Sequence, residues 1–126
     1  MFFTGSKINI IDNSGVQVVK IIGLSGKRKP KVIRLGSYVK ASIKAMEEDC
    51  LSYNAKDVVH VVIISCKRKI SRKNGIYIKT DQNAGFVVHV RRQVPAAAKI
   101  FGPVMRESLH TSVSKAELLK KARGVL

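Results

Sequence analysis

Clusters of lysine and arginine are the residues of this sequence whose chemistry stands out. One cluster occupies residues 27–31, a second runs through residues 67–73, and a third is the pair at residues 91–92. Arginine can bind a phosphate through two parallel hydrogen bonds, whereas lysine supplies a compact point charge. Cations grouped on turns therefore suit nucleic-acid phosphates. The aromatic residues are scattered and include no Trp, which favours binding to the phosphate backbone over reading of single bases. The candidate phosphate-binding residues of these clusters are Lys27, Arg28, Lys29, Lys31, Lys67, Arg68, Lys69, Arg72, Lys73, Arg91 and Arg92.

The charge of the whole chain supports this interpretation. Its 126 residues include 24 Lys and Arg against 8 Asp and Glu, which gives a formal net charge of +16. Self-repulsion of this size destabilises a compact state unless a polyanion neutralises it. Nucleic acid is the first candidate partner and an acidic membrane surface the second. No apolar run is long enough to cross a bilayer. Because several cation clusters occur together, we predict nucleic acid and not a membrane as the partner.

The histidines offer an alternative chemistry. His60, His89 and His110 could act with lysines as the acid–base pair of a small basic nuclease. Two of them fall in predicted strands, where a packed histidine is the commoner case, and no carboxylate pair, nucleophile elbow or phosphate-binding glycine loop accompanies them. Cys50 and Cys66 do not form a CxxC motif, so neither a zinc site nor a disulfide framework is predicted. We predict a protein that is not an enzyme and has no cofactor and no metal.

Short strands and turns should position these cations. Apolar residues alternate with Lys40, Ser42 and Lys44, so one face of that strand should be buried and the other cationic, which adds both lysines to the candidate phosphate-binding set. Residues 57–66 are the most apolar segment and predict a central strand buried on both faces. Asn74-Gly75 predicts a tight hairpin within the second basic cluster. The predicted strands span residues 7–11, 16–22, 39–45, 57–66, 76–79 and 86–90.

The last quarter of the chain changes character. Gly102-Pro103 predicts a sharp bend that returns Ile100 and a buried Phe101 to the strands, with Lys99 and Arg106 free to reach RNA or a neighbour. Residues 114–117 have the spacing of a helix capping box, which predicts a short helix over residues 115–123.

The spacing of the six predicted short strands along the chain favours a small closed barrel. We predict one mainly β domain over residues 1–126, with the barrel and its basic loops to about 105 and a tail of loops and short α-helices from about 106.

Three ordered blocks resemble one known family. They are Asp-Asn-Ser-Gly at residues 12–15, Gly75 followed by Asp81, Asn83 and Ala84, and Ile-Phe-Gly-Pro-Val at residues 100–104 followed by Arg106-Glu107. The chain resembles the universal large-subunit ribosomal protein fourteen family of bacterial and organellar type. The resemblance implies a five-stranded β-barrel with a C-terminal portion of loops and short α-helices. It also implies a structural constituent of the large ribosomal subunit that binds ribosomal RNA and supports translation at the face meeting the small subunit.

The same resemblance implies further partners. These are neighbouring large-subunit proteins, one of them joined by strand pairing in bacterial ribosomes, and small-subunit rRNA across the subunit interface. An anti-association factor that blocks subunit joining would dock, by position, on Ala98, Lys99 and Lys115. The alternative is a free-standing barrel-type RNA-binding translation factor, which a salt wash would release from ribosomes.

Some positions depart from the family pattern. Thr80 stands where an aromatic residue is usual, Ala97-Ala98 replaces Gly-Thr, and Ser37 replaces a common Asp. With the bacterial-like length and the lack of a presequence, these departures predict a location in a mitochondrial rather than a bacterial or plastid ribosome.

Overall fold

The computed structural model describes residues 2–24, 33–48, 53–89, 95–96, 99–110 and 124–126. The first basic cluster at residues 27–31 and the helix predicted over residues 115–123 lie outside this part of the chain.

Five strands close into a barrel, which confirms the central expectation. The strands of the described residues are β1 (Lys7–Ile10), β2 (Val16–Leu24), β3 (Tyr38–Met46), β4 (Val58–Ser65), β5 (Ile70–Ser71), β6 (Tyr77–Ile78), β7 (Ala84–Val88), β8 (Pro103–Val104) and β9 (Gly124–Val125). The barrel has the order β1-β2-β3-β4-β7. Its neighbours pair antiparallel, except that β7 closes the ring by pairing parallel with β1.

Alternation of apolar and polar residues along the strands builds the barrel interior. In β3, Val39, Ala41 and Ile43 are buried while Lys40 and Lys44 are exposed, as the period of two predicts. The remaining strands contribute their own buried positions to the same cluster, which includes Ile8, Val19, Ile21, Val59, Val61, Ile63 and Val87. Burial of these β-branched side chains is the main favourable contribution to closing the ring.

A second apolar cluster lies on the outside of the barrel. Its members, which we call the outer cluster, are Val62, Ile64, Phe86, Val88, Ile100 and Val104. Because β4 contributes to both clusters, the prediction of a strand buried on both faces is confirmed. Val58 is the exception: the pattern predicts its burial, but it is the first residue of β4 after a turn and its side chain is 57% exposed.

The bend at Gly102-Pro103 returns the chain to the barrel. Ile100 forms an isolated bridge with Asp12, and the Phe101 amide donates to the Ile11 carbonyl oxygen at 2.6 Å. The expectation of a buried Phe101 ring is wrong: the side chain is 50% exposed, whereas Ile100 is 1% exposed. Successive residues of an extended segment point to opposite sides, so only one of the two can face the barrel.

The described part of the tail contains no α-helix. A 3-10 helix spans Arg106–His110, and β8 pairs in parallel with β9 at the other end of the tail. The predicted short α-helices are therefore not confirmed, since residues 115–123 lie outside the described part.

Candidate nucleic-acid interface

The hairpin predicted at Asn74-Gly75 is present, and we call residues 67–79 the basic hairpin. Its strands β5 and β6 pair antiparallel, and the Arg72 amide donates to the Ile76 carbonyl oxygen at 2.9 Å. Gly75 has a φ of 83°, in the left-handed region that glycine adopts without strain. Asn74 Oδ1 accepts a hydrogen bond from the Ile76 amide at 3.2 Å. The local sequence thus builds the tight turn that ends the hairpin.

Side chains after the hairpin join its two ends. The Thr80 amide donates to the Cys66 carbonyl oxygen at 3.0 Å, and the Thr80 hydroxyl lies 2.9 Å from the same oxygen. Asn83 Oδ1 accepts from the Lys67 amide at 3.0 Å. Thr80 therefore has a defined role in closing the base of the hairpin.

The cations of the basic hairpin fall into two groups. The exposed group consists of Lys67, Arg68, Lys69, Lys73 and Lys79, of which the first four are predicted phosphate-binding residues. Arg72 differs because its Nε donates to Glu107 Oε1 at 2.6 Å, and its terminal nitrogen donates to Glu107 Oε2 at 3.3 Å and to the Leu126 carbonyl oxygen at 2.7 Å. The hydrogen bond from Arg72 lowers the pKa of Glu107, so this carboxylate is ionised at neutral pH.

Four exposed lysines form a second cationic surface on the barrel, which we call the lysine face: Lys7, Lys20, Lys40 and Lys44. Lys20 lies directly opposite Lys7 on β1 and opposite Ser42 on β3. Lys40 and Lys44 flank Ser42 on the same strand. Neighbouring strands are about 4.8 Å apart, and like charges directly opposite one another destabilise a strand pair. In the described part of the chain none of the four has a salt-bridge partner.

Sequence reasoning found only half of the lysine face. Lys40 and Lys44 follow from alternation within one strand, but Lys7 and Lys20 were missed. Lys20 stands between the buried Val19 and Ile21, so the same alternation was available in β2. The Lys7–Lys20 pairing depends on strand register, which the alternation within a single strand does not reveal.

Lys99 and Arg106 stand on either side of the Gly102-Pro103 bend, and both are exposed. The backbone of Lys99 is held by Asn13, whose amide donates to the Lys99 carbonyl oxygen at 3.3 Å and whose Oδ1 accepts from the Lys99 amide at 3.2 Å. The turn at residues 12–15 therefore supports the segment that carries Lys99.

Asp12 connects this turn to the barrel. Its Oδ2 accepts from the Val87 amide at 2.9 Å, and its Oδ1 accepts from the amide and the hydroxyl of Ser14. Burial raises the pKa of Asp12, and the hydrogen bonds from Ser14 and Val87 oppose that rise. Within the Asp-Asn-Ser-Gly block, Asp12 therefore binds the barrel and Asn13 binds the segment that carries Lys99.

Several candidate residues lie outside the described part of the chain. The structure therefore gives no position for Lys27, Arg28, Lys29, Lys31, Arg91, Arg92, Ala98 or Lys115. The described candidates lie on separate elements: the lysine face on strands β1 to β3, the basic hairpin after β4, and Lys99 after β7.

The described histidines do not form an acid–base pair. His60 stacks on Tyr38 with ring centroids 5.1 Å apart, and burial together with the charge of Lys40 lowers its pKa. His60 pairs with Val88, so His89, the next residue, turns to the opposite side. A nuclease that uses this pair is therefore not supported by the geometry.

The described residues contain no helix long and apolar enough to span a membrane. Within the same residues, no group of three or more His, Cys, Asp or Glu side chains is placed to hold a metal ion.

A closed five-stranded barrel with cationic strands, a basic hairpin and a folded-back Ile-Phe-Gly-Pro-Val segment defines the class as a barrel-type protein with nucleic-acid-binding potential. Comparison with known families is specific: the family model described as ribosomal protein L14p/L23e matches residues 1–123. The chain belongs to this family, and it is accordingly a structural protein of the large ribosomal subunit. The match covers the barrel, the basic hairpin and the bend, and so agrees with the resemblance seen in the sequence.

Proposed function

We propose that this protein binds large-subunit ribosomal RNA through backbone phosphates, using the lysine face and the basic hairpin together. The observation that supports this proposal most directly is the lysine face. Four cations stand on rigid barrel strands, two of them directly opposite each other, with no acidic partner among the described residues. An approaching phosphate backbone would relieve that repulsion and release its own counterions. The clusters at residues 27–31 and 91–92 would extend the same contacts.

The salt dependence of RNA binding tests the lysine face. The variant replaces Lys7, Lys20, Lys40 and Lys44 with Gln, and affinity for a large-subunit rRNA fragment is measured over a series of salt concentrations. We expect the slope of log affinity against log salt to decrease by about 0.7 to 0.9 for each phosphate that the variant no longer neutralises. Replacing the same four residues with Arg is the matched control, because it retains the charges. An unchanged slope in the Gln variant would show that the lysine face does not touch RNA.

We also propose that the protein is an integral part of the large subunit and not a free-standing translation factor. The family match favours the integral protein. A wash of purified ribosomes at moderate salt distinguishes the two, because an integral protein stays with the large subunit and a factor is released. Neighbouring large-subunit proteins are then expected partners in the particle.

We further propose that the Lys99–Arg106 region lies at the face meeting small-subunit rRNA. Both side chains are exposed on a segment that is anchored by Asn13 and by the buried Ile100. A Lys99/Arg106 double substitution should leave thermal stability nearly unchanged and impair subunit joining. Normal subunit joining by the double variant would show that Lys99 and Arg106 have no role at this face. An anti-association factor docking at Ala98, Lys99 and Lys115 is a proposal of the same region, testable by binding of such a factor to the double variant.

A mitochondrial location is the proposal that fits the departures from the family pattern. The Ser37 hydroxyl accepts a hydrogen bond from the Arg34 amide at 3.2 Å, so the serine is accommodated in its turn. Thr80 likewise keeps the hairpin base closed. Such tolerated changes are typical of drift in a divergent lineage. Detection of the protein in purified mitochondrial ribosomes, and not in another ribosome population of the same cell, is the corresponding test.

A further inference from the structure

The Arg72 guanidinium joins three separate parts of the chain. It belongs to the basic hairpin, it binds Glu107 in the 3-10 helix through two nitrogens, and it donates to the Leu126 carbonyl oxygen at 2.7 Å. The Arg72–Glu107 pair is the one salt bridge among the described residues, and its two side chains are 19% and 32% exposed. These contacts use Nε and one terminal nitrogen, so only the other terminal nitrogen keeps its donors for a phosphate, and the two-nitrogen edge is already occupied by Glu107.

The partners of Arg72 are themselves fixed to the barrel. The Leu126 amide donates to the Val104 carbonyl oxygen at 2.9 Å, and the Arg106 amide donates to the Leu126 carbonyl oxygen at 3.3 Å. The Met105 amide donates to the Ile64 carbonyl oxygen of β4 at 3.0 Å. Val104 and Met105 are completely buried. Glu107 and Leu126 thus form a firm support for whatever binds them.

The basic hairpin needs such a support. Its two strands pair over only two residues each, and an isolated two-stranded hairpin is at best marginally stable in water. Thr80 and Asn83 fasten its base, and Ile70 and Ile78 pack against the barrel cluster. The part near the turn lacks this packing, since Ile76 and Tyr77 are more than half exposed. Arg72 is the described residue of the turn that contacts the rest of the protein through its side chain.

We propose that Arg72 is a positioning residue for RNA binding: its clasp on Glu107 and the Leu126 carbonyl holds the basic hairpin so that Lys67, Arg68, Lys69 and Lys73 meet RNA phosphates together. The inference deepens the proposed function and depends on it. Preorganisation of this kind raises affinity because the hairpin does not have to be ordered at the moment of binding.

The substitution Glu107→Gln tests this contact because the two possible roles of Arg72 predict opposite changes in RNA affinity. If Arg72 binds phosphate directly, removing the Glu107 anion frees Arg72 and removes repulsion, so RNA binding becomes tighter. If Arg72 is a positioning residue, the same change loosens the hairpin and binding weakens by about threefold to tenfold. Glu47→Gln is the matched control, since it removes an exposed anion that forms no salt bridge in the described part of the chain.

Affinity for a large-subunit rRNA fragment is measured for Glu107→Gln, Arg72→Ala and the double variant over a series of salt concentrations. For all three variants we expect weaker RNA binding at every salt concentration and an unchanged salt slope. The affinity of the double variant should not fall below that of the single variant that binds more weakly. Hydrogen exchange of the Gly75 and Ile76 amides should accelerate in all three. Equal or tighter binding by Glu107→Gln, or a slope that falls by about 0.7 to 0.9 in Arg72→Ala, overturns the proposal.

A separate variant distinguishes failure of the clasp from failure of the proposed function. Replacing Lys67, Arg68, Lys69 and Lys73 with Gln leaves Arg72 and Glu107 intact. If this variant binds RNA with the wild-type salt slope, the hairpin does not contact RNA, and both the hairpin part of the proposed function and the positioning role are refuted. If its slope falls while Glu107→Gln binds like wild type, only the clasp is refuted.

Discussion

The barrel interior and the outer cluster are both apolar, yet they are built in different ways. The interior receives alternate residues from all five strands of the closed ring, and Phe2, Ile33, Cys66 and Met105 from outside these strands complete it. The outer cluster uses the opposite face of β4 and β7 and is covered by Ile100 and Val104 from the segment that follows β7. Two strands that are apolar on both faces therefore require a cover, and the Ile-Phe-Gly-Pro-Val segment supplies it.

The difference directs attention to how the Ile-Phe-Gly-Pro-Val segment is connected to the barrel. Ile100 bridges to Asp12, and Asp12 in turn binds the amide of Val87 in β7. A single turn therefore joins β1, β7 and the covering segment. Changes in the interior should affect closure of the ring, whereas changes in the outer cluster should affect mainly the attachment of the tail.

The largest effect is expected for Ile63→Ala in the barrel interior. Ile63 is completely buried in β4 and pairs with Gly85 of β7. Truncation removes the transfer free energy of the side chain and leaves a cavity that a closed ring cannot collapse, so the free energy of unfolding should fall by about 4 to 5 kcal/mol. Denaturant unfolding measures this decrease. A decrease below about 1 kcal/mol would mean that the ring relaxes freely and that the two clusters do not differ as described.

A smaller effect is expected for Ile100→Ala in the outer cluster. Ile100 is 1% exposed, but it lies in a covering segment that can move toward the barrel after truncation. We therefore expect the free energy of unfolding to fall by about 2 to 3 kcal/mol, at the lower end of the range for isoleucine. Limited proteolysis should cut the tail of this variant before the barrel unfolds. Simultaneous cleavage of tail and barrel would contradict the separation of the two regions.

Asp12→Asn tests the connection between the regions. The Asn side chain has one accepting oxygen, and an NH₂ group replaces the other oxygen. Either the Val87 amide or Ser14 therefore loses its acceptor. We expect the free energy of unfolding to fall by about 1 to 2 kcal/mol at neutral pH. Because burial raises the pKa of Asp12, wild-type stability should decline as the pH rises from the ordinary value of 3.8 through the raised pKa. The Asn variant lacks that decline. The stability difference between the two proteins, measured by denaturant unfolding, should narrow as the pH rises through this range, and a widening difference would contradict the raised pKa.

The sequence was sufficient to predict those parts of the fold that alternation determines. The buried and exposed residues of β3, the double burial of β4 and the Asn74-Gly75 hairpin all follow from local patterns. Strand register was not predictable in this way, so the Lys7–Lys20 pair was missed. The contacts of Arg72 with Glu107 and Leu126 were missed for a similar reason, since a basic cluster in the sequence does not show which cation finds an internal partner.

The smallest effect is expected for Phe101→Ala, and it separates the two sides of the covering segment. From the sequence alone, a buried Phe101 ring predicts a decrease in stability of about 3 to 5 kcal/mol. The ring is instead half exposed, while the backbone amide of Phe101 donates to the Ile11 carbonyl oxygen and is retained in the Ala variant. Because the ring buries only part of its apolar area, its truncation loses little burial and leaves no enclosed cavity. The free energy of unfolding should therefore decrease by less than about 1 kcal/mol. Denaturant unfolding beside Ile100→Ala gives the comparison, since both substitutions fall in one segment. If Phe101→Ala costs as much as Ile100→Ala, both sides of the segment are buried and the outer cluster extends beyond Ile100 and Val104. If it costs little and yet impairs assembly into large subunits, the exposed ring contacts a neighbour in the particle.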